Sequence, residues 1–182
     1  MSKKVIFIGG LVFLAALSRL LPHPPNFTAV ASIGLFAGAL LGSRFLKVLI
    51  PFIAMFITDL FINNVVYADY QDGFTFFTEG FVFIYFPILL IALFGNKLVQ
   101  KLNIKNIVVG SVLSSAIFFL ISNFGVWVSG TTYPISAEGF IACYTAAIPF
   151  FANTLIGTLF FSGVIFGAYQ LAEKHAPSLV KA

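Results

Sequence analysis

Asp59 is the acidic residue with the most chemical consequence in this chain, because it lies deep within the apolar run that extends from about Phe45 to Tyr67. A carboxylate in hydrocarbon costs about 2.5–3.5 kcal/mol on insertion scales, so it must be paired or protonated. Asn63 follows one helical turn later on the same face, with Asn64 beside it. Arg19, at the end of the first apolar run, is the natural counter-charge. Such a pair can pin two helices together, or it can also touch a ligand. On either reading it borders whatever site the chain builds.

The remaining polar groups of the apolar stretches gather toward the same side of the membrane as Asp59, apart from Ser111, Ser114 and Ser115, whose hydroxyls can bond back to their own helix. His23, Asn26 and Thr28 lie in or just after the segment Pro22-His23-Pro24-Pro25. Ser122, Asn123 and Trp127 close the fifth run, and Cys143, Tyr144, Thr145, Asn153 and Thr154 surround Pro149 in the last. These types suit recognition. Arg19 and Asp59 would position charged or polar groups, and Asn26, Asn63, Asn123 and Asn153 would hydrogen-bond. Trp127 and Tyr144 would stack, and His23 would present its ring from a stiff loop. Imidazole at His23 or thiolate at Cys143 could also ligate a transition metal carried by a ligand, cobalt included. The aromatic residues Tyr70, Phe74, Phe76, Phe77, Tyr133 and Tyr144 suit membrane-interface anchors or a lid over a planar or bulky organic solute.

Catalysis finds less support. Asp59 and His23 could act as acid and base in an intramembrane lipid-modifying enzyme, but no second deep carboxylate and no nucleophile with a base at recognisable spacing accompany them. The chain lacks a Walker A pattern, a His-Glu-x-x-His pair, a Gly-x-Ser-x-Gly elbow and a Cys-x-x-Cys pair. The expectation is a binding protein with no catalytic residues and no cofactor of its own. Cys143 is the single cysteine, which rules out an internal disulfide.

Composition determines the elements that must hold these groups. The 182 residues are 60% hydrophobic and 9% charged, with a mean hydropathy of +1.05. A soluble domain carries about 25% charged residues, so this chain belongs in a membrane. Nine of its ten basic residues fall at every second gap between apolar runs: Lys3 and Lys4, then Arg44 and Lys47, then Lys97, Lys101 and Lys105, then Lys174 and Lys181. The other gaps carry Asp69, Asp72, Glu79 and Glu138, with Arg19 as their only strong base. Short loops rich in Lys and Arg stay in the cytoplasm. The alternation therefore predicts an all-α, single-domain protein with six crossings and both ends cytoplasmic, its polar cluster facing outward. The bases sit singly at membrane borders, which argues against nucleic acid as a partner; membrane lipid is the expected surrounding.

The expected helices run from Val5 to Leu21, from a cap at Asn26 or Thr28 to Gly42, from Phe45 to Tyr67, from Phe81 to Leu98 and from Ile107 to Val128. The last apolar stretch, Gly139 to Ala172, would extend about 51 Å as one helix at 1.5 Å per residue. Pro149 is expected to split it into a short outer segment, 139–148, and a spanning helix from Phe150. The first run resembles a signal peptide's opening but lacks a clean cleavage site, so an uncleaved helix is expected. Gly34, Gly38 and Gly42 repeat at four-residue spacing on the second helix. This flat face serves close packing within the chain or docking onto a separate membrane subunit. In the second case the chain would be a structural membrane partner.

Four segments together carry a resemblance: Arg19-Leu-Leu-Pro-His-Pro-Pro-Asn-Phe-Thr28, the Asp59 region, Ser122-Asn-Phe-Gly-Val-Trp127, and Cys143-Tyr-Thr-Ala-Ala-Ile-Pro-Phe-Phe-Ala-Asn153. They resemble an uncharacterised family of proposed bacterial transport proteins. That family in turn is similar to the substrate-binding S components of energy-coupling-factor transporters. The resemblance implies a six-helix subunit in the bacterial cytoplasmic (inner) membrane that binds a vitamin or related micronutrient near its outer face. It also implies a separate coupling subunit and ATPases that drive uptake, with cobalamin or another corrinoid as the first choice of solute. The small-residue docking motif of many S components has only Ala15 and Ala16 to match it on the first helix, the clear repeat lying on the second.

Overall fold

The computed structural model describes residues 2–180 and contains six α-helices, with no strand among the described residues. They are α1 (Lys3–Leu17), α2 (Val30–Leu40), α3 (Arg44–Phe61), α4 (Val82–Leu98), α5 (Ile104–Val128) and α6 (Ala137–His175). Ser2, Ser43, Asn103 and Ser136 cap α1, α3, α5 and α6 through side-chain oxygens that accept from the first turn. A 3-10 turn, Ser18–Leu20, extends α1, and a π-helical turn, Ile62–Val66, extends α3.

Three helices are long and apolar enough to cross a bilayer: Arg44–Val66, Ile104–Val128 and Ala137–His175. Large apolar side chains such as Ile57, Phe86, Leu120 and Phe160 lie exposed on the outside of the bundle, where hydrocarbon rather than water accommodates them. This is a membrane protein.

The helices alternate in direction. Phe83 stacks near Phe124 while Gly110 lies beside Leu98 and Val99, so α4 and α5 run antiparallel. Gly34 meets Ile88 and Gly38 meets Ala92, so α2 and α4 run parallel. Phe27 packs on Phe161 and Phe36 on Phe166, which gives α6 the same direction as α2. Gly9 near Ile50 and Arg19 beside Asp59 make α1 parallel to α3. All described basic residues of the even-numbered gaps thereby gather at one end of the bundle; Lys181 lies outside the described residues.

At the centre is α2. Every residue from Val30 to Gly38 is buried, as expected for a helix that is apolar on all sides. Its 11 residues span about 16 Å, about half of a bilayer core. The helix predicted to reach back to Asn26 or Thr28 begins later. Phe27 and Thr28 instead pass beside Gly157, midway along α6, where an added Cβ would lie 2.9 Å from the Thr28 nitrogen. The glycine face of α2 is consumed within the chain. A Cβ on Gly34 would lie 2.8 Å from the Ile88 carbonyl, one on Gly38 would collide with the Ala92 carbonyl, and one on Gly95 would lie 2.7 Å from Gly38. The two backbones touch, and Gly34 and Gly38 offer no surface to another subunit.

The expected break at Pro149 is absent: α6 is continuous over 39 residues, about 58 Å at 1.5 Å per residue. Proline removes one backbone bond, to Thr145, and bends a helix. Unwinding would expose several backbone groups to an apolar setting at several kcal/mol each. The single lost bond is the smaller cost.

Candidate functional site

Arg19 and Asp59 form the expected pair. Nη2 of Arg19 lies 2.7 Å from Oδ1 of Asp59, and the two side chains are only 14% and 15% exposed. The other guanidinium arm, Nη1, donates to Oγ1 of Thr58 at 2.9 Å and approaches Sδ of Met55 at 3.4 Å. Tyr85, reaching across from α4, donates its hydroxyl to Oδ2 of Asp59 at 2.6 Å. Both carboxylate oxygens are therefore occupied, and charge is balanced within the cluster. One polar corner thus links three helices in an otherwise apolar bundle.

This corner borders a cavity of about 220 Å³ lined by Arg19, Asp59, Ile62, Asn63, Tyr67, Phe77, Thr78, Phe81, Ile84 and Tyr85. Part of its lining is aromatic. Phe77 stacks on Phe81 at 4.3 Å between centroids, and each meets Tyr85 edge-on at about 6 Å. Phe77 and Thr78 come from the loop between α3 and α4. Asn64 holds that loop down by accepting from the Thr75 backbone N–H at 2.7 Å and donating to the Thr75 carbonyl at 2.8 Å. The π-helical turn sits at this point of α3, with Tyr67 N–H donating to the Ile62 carbonyl at 2.9 Å. Such turns recur at functional sites because the wider turn re-aims side chains.

A second hollow of about 400 Å³ shares Arg19, Ile62 and Tyr67 with the first and adds Leu20, Leu21, Pro22, His23, Thr28 and Val66. His23 is exposed on its rim, its Nδ1 2.9 Å from the Pro24 carbonyl. A carbonyl can only accept, so Nδ1 is the donor in this contact. His23 and Asp59 make no hydrogen bond to each other.

The other expected contacts lie elsewhere. Asn123 donates to the Phe119 carbonyl of its own helix at 2.8 Å, and Tyr144 donates to the Leu120 carbonyl at 2.6 Å. Trp127 packs edge-on against Phe140, 5.3 Å away. Cys143 is buried, with its thiol 3.5 Å from the Asn123 carbonyl. These four residues belong to the α5–α6 contact and line neither hollow with Arg19. Asn26 adopts a left-handed backbone, φ 63°, which asparagine tolerates better than most residues. Asn153 donates to the Pro25 carbonyl at 2.9 Å. Both shape and tether the first loop rather than line a hollow. Cys143 and His23 face different regions, and no group of three His, Cys, Asp or Glu residues is arranged to hold a metal among the described residues.

The chain belongs to the family of unknown function DUF6580. The sequence model of that family matches residues 1–179, so membership covers the whole bundle and the polar corner with it. No curated protein and no solved structure matches the chain.

Thr58, Tyr67, Phe81 and Tyr85 were not among the expected contacts, yet all border or build the corner; Phe77, expected as an interface anchor or a lid, lines the cavity too. Tyr85 left a signal. It is the only hydroxyl-bearing residue of α4, and a tyrosine hydroxyl within an apolar span needs a partner. Asp59 was the one deep acceptor on offer. Thr58, adjacent to Asp59, left none, since threonine commonly bonds its own helix, as it also does here to the Ala54 and Met55 carbonyls.

Proposed function

We propose that this chain is a solute-binding membrane subunit for uptake of a small organic micronutrient, with its site open toward the outside of a bacterial cytoplasmic membrane. The observation that carries the reading is the charge-balanced Arg19–Asp59–Tyr85 corner on a cavity at the bundle end remote from the other described basic residues. Deep ionisable groups facing a cavity mark solute sites in membrane proteins. The corner lies at the end where the loops carry Asp69, Asp72 and Glu79. With the bases opposite, the positive-inside rule sets that end outside. Six crossings, with α2 and its preceding loop counted as one, keep both ends in the cytoplasm.

The contacts that support this reading are Arg19, His23, Asp59, Asn63, Tyr67 and Tyr85. Their hollows favour a solute smaller than a corrinoid, whose macrocycle and side chains exceed either one. The likeness to energy-coupling-factor S components implies a separate coupling subunit and ATPases as partners, and the glycine face of α2 is not where they would dock.

Native mass spectrometry of gently extracted protein tests the proposal. A small molecule should travel with the wild type and be lost from Asp59→Ala protein that remains folded. Solute retained at the wild-type level in that variant would remove the site.

A further inference from the structure

Asn63 is the one buried polar side chain lining the 220 Å³ cavity that forms no hydrogen bond among the described residues. It is 6% exposed. An amide that faces a cavity without a protein partner keeps its donor and acceptor available to whatever enters. Its neighbours are engaged with other partners. Arg19 is held by Asp59, Thr58 and Met55, and Asp59 by Arg19 and Tyr85. Asn64, next in sequence, is fully engaged with Thr75 and Leu60.

We infer that Asn63 reads the edge of the solute, which is an uncharged, planar heterocycle bearing an N–H beside a C=O: a lactam, cyclic imide or ring carboxamide. This inference rests on the proposed function and names the solute class for the same site. Three features carry it. A primary amide presents a donor and an acceptor side by side, and the complementary edge is a C=O next to an N–H. The aromatic part of the lining, Phe77, Phe81 and Tyr85, supplies flat faces and edges for a ring. The lining carries no net charge, since the only ions on it are Arg19 and Asp59, 2.7 Å apart. A charged solute would have to break that pair to find its own counter-ion.

The size also fits. A cavity of about 220 Å³ holds one or two fused rings rather than a large conjugate.

The test uses the full chain in lipid nanodiscs, with quinazoline-2,4-dione as probe and naphthalene-1-carboxylate and quinoxaline as controls, measured by calorimetric titration. The dione matches the amide edge. The carboxylate has the flat shape with a charge, and quinoxaline has the shape without the N–H/C=O pair. The dione should bind, and both controls should bind at least roughly tenfold more weakly, the equivalent of one well-made buried hydrogen bond to a site group. Asn63→Leu and the smaller change Asn63→Ser should each weaken dione binding by a similar factor. Equal binding of all three compounds, no binding of the dione, or unchanged dione affinity in folded Asn63→Ser protein would overturn the inference. Native mass spectra of the same samples separate the two levels. A co-purifying solute that depends on Asp59 but not on Asn63 sinks only the solute class. If no solute is bound to any sample, the uptake reading falls with it.

Discussion

The Tyr85 hydroxyl lies 2.6 Å from the Asp59 carboxylate that also holds Arg19, so α1, α3 and α4 converge on one side chain. Tyr85→Phe deletes only the donor and leaves Oδ2 of Asp59 unmet in a largely buried place. The expected loss is about 1–3 kcal/mol of stability, read as a lower midpoint of thermal unfolding in detergent. An unchanged midpoint would mean that the hydroxyl is not what completes the carboxylate's shell.

Arg19 and Asp59 should be strongly non-additive. Removing one partner of a buried pair leaves an uncompensated charge and costs about 3–5 kcal/mol, whereas replacing both by apolar groups of similar volume is often tolerated. Arg19→Met and Asp59→Leu are each expected to destabilise the protein markedly. The double variant should be more stable than the sum of the two losses allows. A double-mutant cycle on unfolding midpoints gives the coupling, and strict additivity would contradict the pairing.

Close contact between α2 and α4 separates the glycines into two kinds. Gly38→Ala drives a methyl into the Ala92 carbonyl, whereas an added Cβ at Gly42 meets nothing within 4 Å. Overpacking of this sort costs about 1–3 kcal/mol, and the neighbour here is backbone that cannot rotate away. Folded yield after size exclusion should fall for Gly38→Ala and stay at the wild-type level for Gly42→Ala.

Asn64 ties down the α3–α4 loop through two bonds to Thr75. Asn64→Ala should speed hydrogen exchange of the Thr75 amide by roughly tenfold or more, about the value of a net hydrogen bond. Exchange in α5 should be unaffected. If the loop amides keep their protection, the aromatic contacts of Phe77 hold it alone.

Orientation can be read by labelling single cysteines in a Cys143→Ala background. Thr132 and Asn103 are both exposed, at opposite ends of α5. A membrane-impermeant maleimide should label Thr132→Cys in intact cells and Asn103→Cys only after permeabilisation. The reverse pattern would turn the cavity toward the cytoplasm and overturn the uptake proposal.

What the amino-acid sequence determined by itself was the membrane setting, the number and rough bounds of the helices, and the pairing of Arg19 with Asp59. Hydropathy and charge are properties of single segments, and a carboxylate in an apolar bundle with one base within reach has one partner to find. Which polar residues would share a cavity was not legible. Asn63, Asn123 and Tyr144 look equivalent along the chain, yet Asn63 lines the cavity, while Asn123 and Tyr144 bond backbone carbonyls of α5. Helical periodicity sets a side chain's direction about its own axis but not which neighbour that face meets. In hydrocarbon the usual cue also fails, because lipid tails are as apolar as a protein core and hydropathy cannot tell a buried face from a lipid-facing one. Only the packed bundle decided that the glycines of α2 are closed against α4, that Tyr85 completes the polar corner, and that α6 runs unbroken through Pro149.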